Sequence, residues 1–450
     1  MINDLEIAKA NLKGHSICFC RNGKILTDSG RGISPMMKFI AENKELKGGT
    51  VADLIVGKAA AMLFVKAGII CVYGKVMSEA GKRYLMEHKI TCSYEILTER
   101  IINRKGTDIC PMEKTVADID DTEMGYEALK NAYKKVILGK EIMVGGITFP
   151  TNVLMAPLAG YTCFPFRLMA ERLGAGSAYT EMVSADALKY NDNATKKLLY
   201  TDDREKIKCV QLLGGIPTVF ERIVKSEILE KFDVIDINMG CPVPNVVKSG
   251  EGSALLTDLK RASKIIEACK RSGKVVSVKC RIGMNPNNIV IEEFARMCEQ
   301  SGADMITVHG RTRNMMYDGE PLYEYIKKAK QVVSIPVFAN GGIDSKDKAL
   351  EMMLKTGADG VMLARYGFEN PMIFSEITGR TCNDTKYSLL MEQMDIAEEC
   401  FDELFVLTYI KKLASYFMKK LPGTKQYKME LYKCGSSKNM RKILGEIFLK

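Results

Sequence analysis

Short apolar runs that recur between residues 152 and 364 constrain the fold of this 450-residue chain more than any other feature. Each run has the length of one buried β-strand, and a pattern typical of a helix separates it from the next. In chain order, we predict strands at 152–157, 176–181, 208–213, 234–239, 275–281, 305–309, 336–340 and 360–364. Apolar strands joined by helices indicate a parallel sheet that is covered on both faces.

Eight strands that alternate with helices predict an α/β fold, a (β/α)8 TIM barrel, in the central part of the chain. An open, doubly wound parallel sheet fits the same pattern and is the alternative. We place the barrel at residues 139–380, a helical domain at 381–450 and a separate α/β domain at 1–138.

The first 138 residues have a different pattern, typical of a small α/β domain. Runs at 16–20 and 25–28 flank Asn22-Gly23, a dipeptide typical of a two-residue β-hairpin turn. We predict helices at 33–43, 51–67, 78–88 and 124–136, and a buried strand at 69–73. The polar stretch 103–122 favours a turn-rich connection.

The C-terminal segment carries nearly all of the excess positive charge. The chain has 65 Lys and Arg against 55 Asp and Glu, and residues 409–450 hold 11 and 2 of these, which gives that segment +9 and the rest +1. Apolar residues recur there at helical spacing: Tyr409, Ile410, Leu413, Tyr416, Phe417 and Leu421. A basic helical domain indicates an anionic partner.

Composition excludes several protein classes. The 46% of hydrophobic and 27% of charged residues are ordinary for a globular protein. No apolar run is long enough to span a membrane, and the N-terminus lacks the apolar core of a signal peptide.

The 14 cysteines do not have the regular spacing of a disulfide framework, so we expect reduced thiols in a cytoplasmic protein. With 3 histidines and no paired Cys motif, we expect no metal site.

Polar groups and glycines cluster at the predicted strand ends, where TIM barrels carry their active groups. The first strand ends in Pro157-Leu158-Ala159, the third contains Gln211, and the fourth ends in Asn238-Met239-Gly240-Cys241. The fifth strand contains Lys279 and Arg281, and the sixth ends in His309-Gly310-Arg311-Thr312-Arg313. The seventh strand ends in Asn340-Gly341-Gly342 and the eighth in Ala364-Arg365. These residues form the candidate site.

The last two strand ends predict a phosphate site, which TIM barrels often build there. Gly341 and Gly342 can adopt positive φ and point backbone N–H groups at an anion, and Arg365 can add a charged contact. A tight turn without a ligand is the alternative.

Lys279 and Gln211 predict contacts with an anionic cofactor. A lysine within a buried strand is costly unless its charge is balanced, either by a bound anion or by an internal salt bridge. Gln211 fits the amide-like edge of a cofactor ring, or a hydrogen bond within the barrel.

Cys241 lies between a strand end and a loop rich in proline and glycine. Its thiol is mostly protonated at pH 7, so it can act as an acid without a neighbouring base. The alternative is a small buried apolar side chain. His309 is likewise either a residue of the site or a buried histidine whose ring nitrogens are hydrogen-bonded within the core.

Taken in order, these motifs resemble the tRNA-dihydrouridine synthase family, flavoenzymes that reduce uridine in tRNA, and its bacterial DusB subgroup in particular. The resemblance covers about residues 139–450. It rests on the segments 155–160, Pro165-Phe166-Arg167, 238–242 with Val246, 309–313, 340–342 and Leu421-Pro422-Gly423.

The resemblance implies FMN in the barrel mouth and NADPH, or NADH, as reductant. Pro157, Leu158 and Ala159 would lie along the flavin, with Gln211, Lys279 and His309 near its polar edges, and Asn340, Gly341, Gly342, Ala364 and Arg365 would hold the phosphate. Asn238, Arg281, Arg311 and Arg313 would contact the substrate, and the basic helices would help to bind tRNA.

The implied reaction is reduction of the C5–C6 double bond of uridine to dihydrouridine. Cys241, which matches the family's catalytic cysteine, would protonate carbon 5, and Lys279, His309 or Arg281 would stabilise the developing enolate. We expect a monomer. The alternatives are an FMN barrel reductase of a small dihydropyrimidine or enoate, and a non-catalytic tRNA-binding scaffold.

The N-terminal domain resembles a small uncharacterised family with a deaminase-like fold that lacks zinc ligands. The similarity rests on Gly57-Lys58-Ala59-Ala60 and Cys110-Pro111-Met112-Glu113. We expect no deamination. A regulatory, ligand-binding or RNA-positioning role and a passive fusion all remain open.

Overall fold

The structure, a computed structural model, describes residues 2–42, 44–103, 106–190, 193–419 and 425–449. It divides into two compact units, Met1–Ile137 and Leu138–Lys450. The first unit is a five-stranded α/β fold, and the second contains a barrel followed by helices.

The first unit is built on one mixed sheet. In spatial order its strands are Lys24–Asp28, Ile17–Arg21, Thr50–Val56, Cys71–Ser78 and Thr91–Thr98. The first two pairings are antiparallel and the last two are parallel. Its helices are Ile2–Ala10, Ser34–Ala41, Lys58–Lys66, Glu79–Glu87, Pro111–Val116 and Thr122–Ile137. Asn22 (φ 50°) and Gly23 (φ 75°) form the turn between the first two strands, which confirms the predicted hairpin.

The predicted helix at 51–67 is wrong in its first half. Residues Thr50–Val56 form a central strand, and the helix begins only at Lys58, after Gly57. A short apolar run does not distinguish a buried strand from a buried helix by its periodicity. The sequence analysis also missed the edge strand Thr91–Thr98.

The second unit confirms the (β/α)8 barrel. Its strands are Val153–Met155, Tyr179–Ser184, Cys209–Leu213, Val234–Met239, Val275–Arg281, Met305–His309, Val337–Asn340 and Gly360–Leu363. Neighbouring strands pair in parallel around the sheet, and a parallel bridge between Met155 and Ala178 joins the first strand to the start of the second. The second strand begins three residues later than the predicted 176–181.

A short β-hairpin closes the amino end of the barrel. Its strands are Ile142–Val144 and Ile147–Phe149. Val144 and Phe149 are buried in one apolar cluster with residues from the starts of the barrel strands, including Val275 and Phe338. The interior is therefore filled at this end, which leaves the carboxyl end for a cavity.

Helices surround the barrel and continue beyond it. Those that follow barrel strands are Phe164–Leu173, Asn193–Leu198, Pro217–Ile223, Pro244–Lys248, Leu259–Lys270, Ile291–Gln300, Tyr323–Gln331, Lys346–Thr356, Arg365–Glu369 and Ile373–Thr378. The C-terminal helices are Lys386–Cys400, Glu403–Phe417, Lys425–Lys433 and Ser437–Phe448. No strand occurs among the described residues after Thr385, as predicted. Leu421, Pro422 and Gly423 lie outside the described residues.

Candidate active site at the barrel mouth

A cavity of about 580 Å³ opens at the carboxyl end of the barrel strands. Fifteen of the sixteen residues predicted for the site line it: Pro157, Leu158, Ala159, Gln211, Asn238, Cys241, Lys279, Arg281, His309, Arg311, Asn340, Gly341, Gly342, Ala364 and Arg365. The structure therefore brings these residues together, while their individual roles stay predictions.

Arg313 is the predicted residue that does not line the cavity. Its backbone N–H donates to the carbonyl oxygen of Gly283 at 2.9 Å, and its guanidinium donates to the side-chain oxygen of Asn314 at 3.1 Å. Arg313 thus lies in the loop beside the mouth.

The two glycines after the seventh strand have the geometry predicted for an anion site. Gly341 and Gly342 have φ values of 122° and 66°, in the region that favours glycine. A Cβ on Gly341 would come within 2.8 Å of the His309 ring. Both positive φ and close approach therefore require a residue without a side chain here. Arg365 follows the eighth strand on the same cavity wall and is exposed.

Lys279 is a partly buried cation that faces the cavity without an ion-pair partner among the described residues. Its Nζ donates to Oδ1 of Asn340 at 2.8 Å, and Nδ2 of Asn340 donates to the carbonyl oxygen of Met362 at 2.7 Å. Among the described residues no carboxylate forms an ion pair with Lys279, so the salt bridge considered as an alternative is not found there. Burial, and then the nearby Arg281, lowers the pKa of Lys279 to about 8.

Gln211 belongs to a chain of buried polar groups across three neighbouring strands. Its Nε2 donates to Oδ2 of Asp236 at 2.7 Å, and its Oε1 accepts from Nδ2 of Asn238 at 3.0 Å. Ser277 donates to the other oxygen of Asp236 at 2.5 Å. One N–H of the Gln211 amide remains for a ligand, because the amide nitrogen has two donors.

The Cys241 loop is tied to the barrel through its backbone. Oδ1 of Asn238 accepts from the backbone N–H groups of Gly240 (3.1 Å) and Cys241 (2.9 Å), and the Ser253 hydroxyl donates to the carbonyl oxygen of Cys241 at 2.9 Å. The thiol is half-buried at the cavity wall. Burial raises its pKa, so the thiol stays protonated at neutral pH.

His309 is neutral in this environment. Burial, and then the positive charges of Lys279, Arg281, Arg311 and Arg365, lowers the pKa of His309 well below its usual range. Arg311 donates from Nη1 to Nε2 of His309 at 3.0 Å, and since a guanidinium can only donate, the ring proton lies on Nδ1. A cationic role for His309 in the enolate step therefore conflicts with the structure.

Tyr317 is a cavity residue that the sequence analysis missed. The centre of its ring lies 5.4 Å from the guanidinium of Arg281 and 4.7 Å from that of Arg365. Arg281 is otherwise held by the carbonyl oxygens of Gly240 (3.0 Å) and Thr312 (2.8 Å). Tyr317 follows the sixth strand in a loop, where no periodicity indicates which side chain turns inward.

Asp236 was also missed, although the sequence carried a signal for it. It is a fully buried carboxylate in a strand whose remaining residues, apart from Asn238, are apolar, and a charged residue in such a strand is the signal that singled out Lys279. Its partners Gln211 and Ser277 lie directly opposite it on the neighbouring strands. Only the strand order identifies those partners.

One C-terminal helix reaches the rim of the cavity. Lys412, in helix Glu403–Phe417, donates to the carbonyl oxygen of Gly160 at 2.7 Å, and its Nζ lies 4.9 Å from the centre of the Tyr161 ring. The hydroxyl groups of Tyr161 and Tyr416 are 3.0 Å apart. The basic helices are thus joined to the loop that follows the first barrel strand.

The part of the chain that the structure describes has neither a candidate metal site nor a helix that could cross a membrane. No cluster of three or more His, Cys, Asp or Glu there has the arrangement of a metal site. In the same part of the chain, no helix has the length and apolar character needed to cross a membrane.

Comparison with protein families gives two matches. The model described as dihydrouridine synthase (Dus) matches residues 154–448. The model described as a domain of unknown function (DUF1893) matches residues 8–133. A crystal structure of a DUF1893 family protein from Thermotoga maritima aligns with 30% of this chain and 91% of its own, at 26% identity and a TM-score of 0.28.

Curated relatives are similar to this chain over about three-fifths of its length. tRNA-dihydrouridine synthase B of Pseudomonas aeruginosa is 35% identical over 299 residues, which cover 64% of this chain and 90% of the relative. A probable tRNA-dihydrouridine synthase of Rickettsia conorii is 37% identical over 268 residues, 58% of this chain and 81% of the relative. Since the dihydrouridine synthase model extends over residues 154–448, well over half of the chain, this protein belongs to the dihydrouridine synthase family.

Proposed function

We propose that the barrel mouth binds FMN, that NADPH is the reductant, and that Cys241 protonates carbon 5 of a uridine in tRNA. The chain is a dihydrouridine synthase, a flavin-dependent oxidoreductase that acts on uridine in tRNA. The proposal assigns the parts of that reaction to individual residues.

The observation that carries the FMN assignment is the charge of the cavity. Lys279 is partly buried there with an amide oxygen as its hydrogen-bond partner, and the glycine pair beside His309 has the geometry of an anion cradle. A partly desolvated cation without an ion pair is costly, and an anionic ligand lowers that cost. A ligand with one flat polar ring and one phosphate fits both features.

The proposed contacts follow the positions of the residues around the cavity. Pro157, Leu158 and Ala159 would pack along the ring, Gln211, Lys279 and His309 would bind its polar edges, and Asn340, Gly341, Gly342, Ala364 and Arg365 would hold the phosphate. When bound, the flavin supplies the hydride that carbon 6 of uridine accepts.

The protein supplies the proton and the charge stabilisation. Negative charge develops on the carbon 4 oxygen as carbon 6 is reduced, and cationic Lys279 and Arg281 lie in the same cavity wall to stabilise it. Cys241 then donates its proton to carbon 5. The raised pKa of the thiol suits this role, because the acid must be protonated when it acts.

We also assign the contacts with the tRNA substrate and the roles of the domains. The target uridine would leave the tRNA stack to enter the mouth. Asn238, Arg281 and Arg311 would contact the base from inside the cavity, and Arg313 the RNA outside it. We assign residues 139–380 to catalysis, 381–450 to tRNA binding, and 1–138 to a role still to be found. We further propose a monomer in the cytoplasm.

Cys241→Ala tests the proton donor. Dihydrouridine formation on unmodified tRNA should fall by about 100-fold or more, as for the loss of a general acid. NADPH oxidation through the flavin should continue, because that half-reaction needs no proton from Cys241. Cys298→Ala removes a buried thiol in helix Ile291–Gln300 that does not line the cavity, and it is the matched control. Normal dihydrouridine formation by Cys241→Ala would refute the assignment.

A further inference from the structure

Asp236 is the first member of a chain of buried hydrogen bonds that ends at the loop carrying Cys241. It is completely buried in the fourth barrel strand and is bonded to Ser277 on one side and to Gln211 on the other. Gln211 is bonded in turn to Asn238, whose oxygen accepts the backbone N–H groups of Gly240 and Cys241. Three consecutive links, the last of them formed by two hydrogen bonds, thus connect a carboxylate in the barrel interior to the loop that carries the thiol.

The direction of this chain depends on its first member. An ionised carboxylate can only accept hydrogen bonds, whereas a glutamine or asparagine amide can present either its oxygen or its nitrogen. Asp236 therefore forces the nitrogen of Gln211 towards itself, which turns the Gln211 oxygen towards Asn238. Asn238 must then present its nitrogen to Gln211, and its oxygen faces the N–H groups of the loop.

If these hydrogen bonds ran in the opposite direction, Asn238 could no longer accept from the backbone N–H groups of the loop. If Gln211 turned its oxygen towards position 236, its nitrogen would face Asn238, and Asn238 would rotate its oxygen away from the loop. The Asn238 nitrogen would then face the backbone N–H groups of Gly240 and Cys241, donor against donor. The loop would lose two hydrogen bonds at the residue that carries the thiol.

We propose that Asp236 is a positioning residue that sets the direction of the amides of Gln211 and Asn238 and so holds the Cys241 thiol at the cavity wall. The catalytic consequence rests on the proposed role of Cys241 as proton donor; the structural consequence does not. Asp236 also fixes which group Gln211 presents to a ligand, namely its second N–H.

The test needs a variant that reverses the chain. In Asp236→Asn alone, the new amide could turn its nitrogen to the Ser277 hydroxyl, which is able to accept, and leave Gln211 in place. Asp236→Asn combined with Ser277→Ala removes that acceptor, so within this series of hydrogen bonds only the Gln211 oxygen can accept from the new nitrogen. Ser277→Ala alone is the matched control, because it leaves the carboxylate in place.

A second variant exchanges the two groups and keeps the direction. In Asp236→Asn with Gln211→Glu, the new amide at position 236 donates to the new carboxylate at position 211, and Ser277 still donates to the amide oxygen. The carboxylate at position 211 again accepts from Asn238, whose oxygen keeps facing the loop. This variant satisfies every buried polar group, so it tests the direction of the chain even where the first variant does not fold.

The readout is the alkylation rate of Cys241 by iodoacetamide in the flavin-free protein, followed on the Cys241 peptide by mass spectrometry. Loss of loop hydrogen bonds exposes the thiol, so we expect alkylation about five- to tenfold faster in Asp236→Asn/Ser277→Ala than in Ser277→Ala. The exchanged variant and Ser277→Ala should stay within about twofold of the wild type.

Equal rates in Asp236→Asn/Ser277→Ala and Ser277→Ala would overturn the proposal, and so would fast alkylation in the exchanged variant. With tRNA and the loaded enzyme, Asp236→Asn/Ser277→Ala should lower kcat for dihydrouridine formation and leave KM for tRNA unchanged. If the wild type makes no dihydrouridine, the proposed function fails, while the alkylation rates still decide the role of Asp236.

Discussion

The barrel mouth and the C-terminal helices are both rich in positive charge, but they hold that charge differently. In the mouth, Arg281 is buried and Lys279 partly buried, and both are bonded to amide or carbonyl oxygens. In the helices, Lys433, Lys438 and Lys442 are exposed, and Arg441 is paired with two carboxylates. Buried cations without acidic partners bind one specific anion strongly, whereas exposed cations attract any polyanion weakly and lose that attraction in salt.

The largest effect should come from removing a buried charge. Lys279→Met keeps the length of the side chain and removes the cation that we assign to FMN. FMN affinity, measured by fluorescence quenching on the flavin-free protein, should fall by at least about 100-fold, since breaking a buried charge pair costs about 3 kcal/mol or more. Lys433→Met, an exposed lysine of the helices, should leave FMN affinity unchanged. Equal affinities in the two variants would remove the distinction between the regions.

The pH dependence of FMN binding sharpens the same contrast. The pKa of Lys279 is lowered to about 8 by burial, so the side chain loses its charge as pH rises through that value. An anion then binds more weakly, and we expect FMN affinity at pH 9 to be about tenfold below that at pH 7. The affinity of Lys279→Met should be flat over this range. A wild-type affinity that rises with pH would contradict the assignment.

Much of the mouth could be predicted from the sequence, because its residues follow strand ends. The glycine pair Gly341-Gly342 could be predicted because it follows a strand end, and Lys279 because a charged residue breaks the pattern of a buried strand. Asp236 breaks it too, but its meaning depends on Gln211 and Ser277 lying opposite it, and strand order is a tertiary property.

Two further errors have physical causes. The helix predicted at 51–67 fails because Thr50–Val56 is mostly apolar, with Asp53 as its one charged residue, and has no period that separates strand from helix. The charge of +9 counted over residues 409–450 overstates the free charge of that segment, because Lys419 and Arg441 are paired with acids that precede it: Glu369, Asp395 and Glu398.

A moderate effect should follow from removing the exposed lysines of the helices. Lys433→Ala, Lys438→Ala and Lys442→Ala together should weaken tRNA binding severalfold at physiological salt. For each of these lysines that binds a phosphate, the slope of log affinity against log salt should fall by about 0.7–0.9. FMN affinity should not change. An unchanged salt slope would place the tRNA-binding surface elsewhere on the protein.

The smallest effect separates paired from unpaired charge on adjacent residues of one helix. Arg441 donates to Asp395 at 2.7 Å and to Glu398 at 2.6 Å, whereas Lys442 is exposed and has no ion pair among the described residues. Arg441→Ala should leave the salt slope of tRNA binding unchanged, because its charge is already balanced, and should cost at most about 1 kcal/mol of stability in thermal unfolding.

Lys442→Ala should do the opposite: a lower salt slope by about 0.7–0.9 and an unchanged unfolding temperature. The two variants remove the same formal charge from neighbouring positions, so net charge cannot explain a difference between them. If both lower the slope equally, the carboxylates at 395 and 398 do not neutralise Arg441 in the complex. Every positive charge of the C-terminal helices would then contribute to tRNA binding, whether or not it is paired in the free protein. The helices would differ from the barrel mouth only in that their cations are exposed.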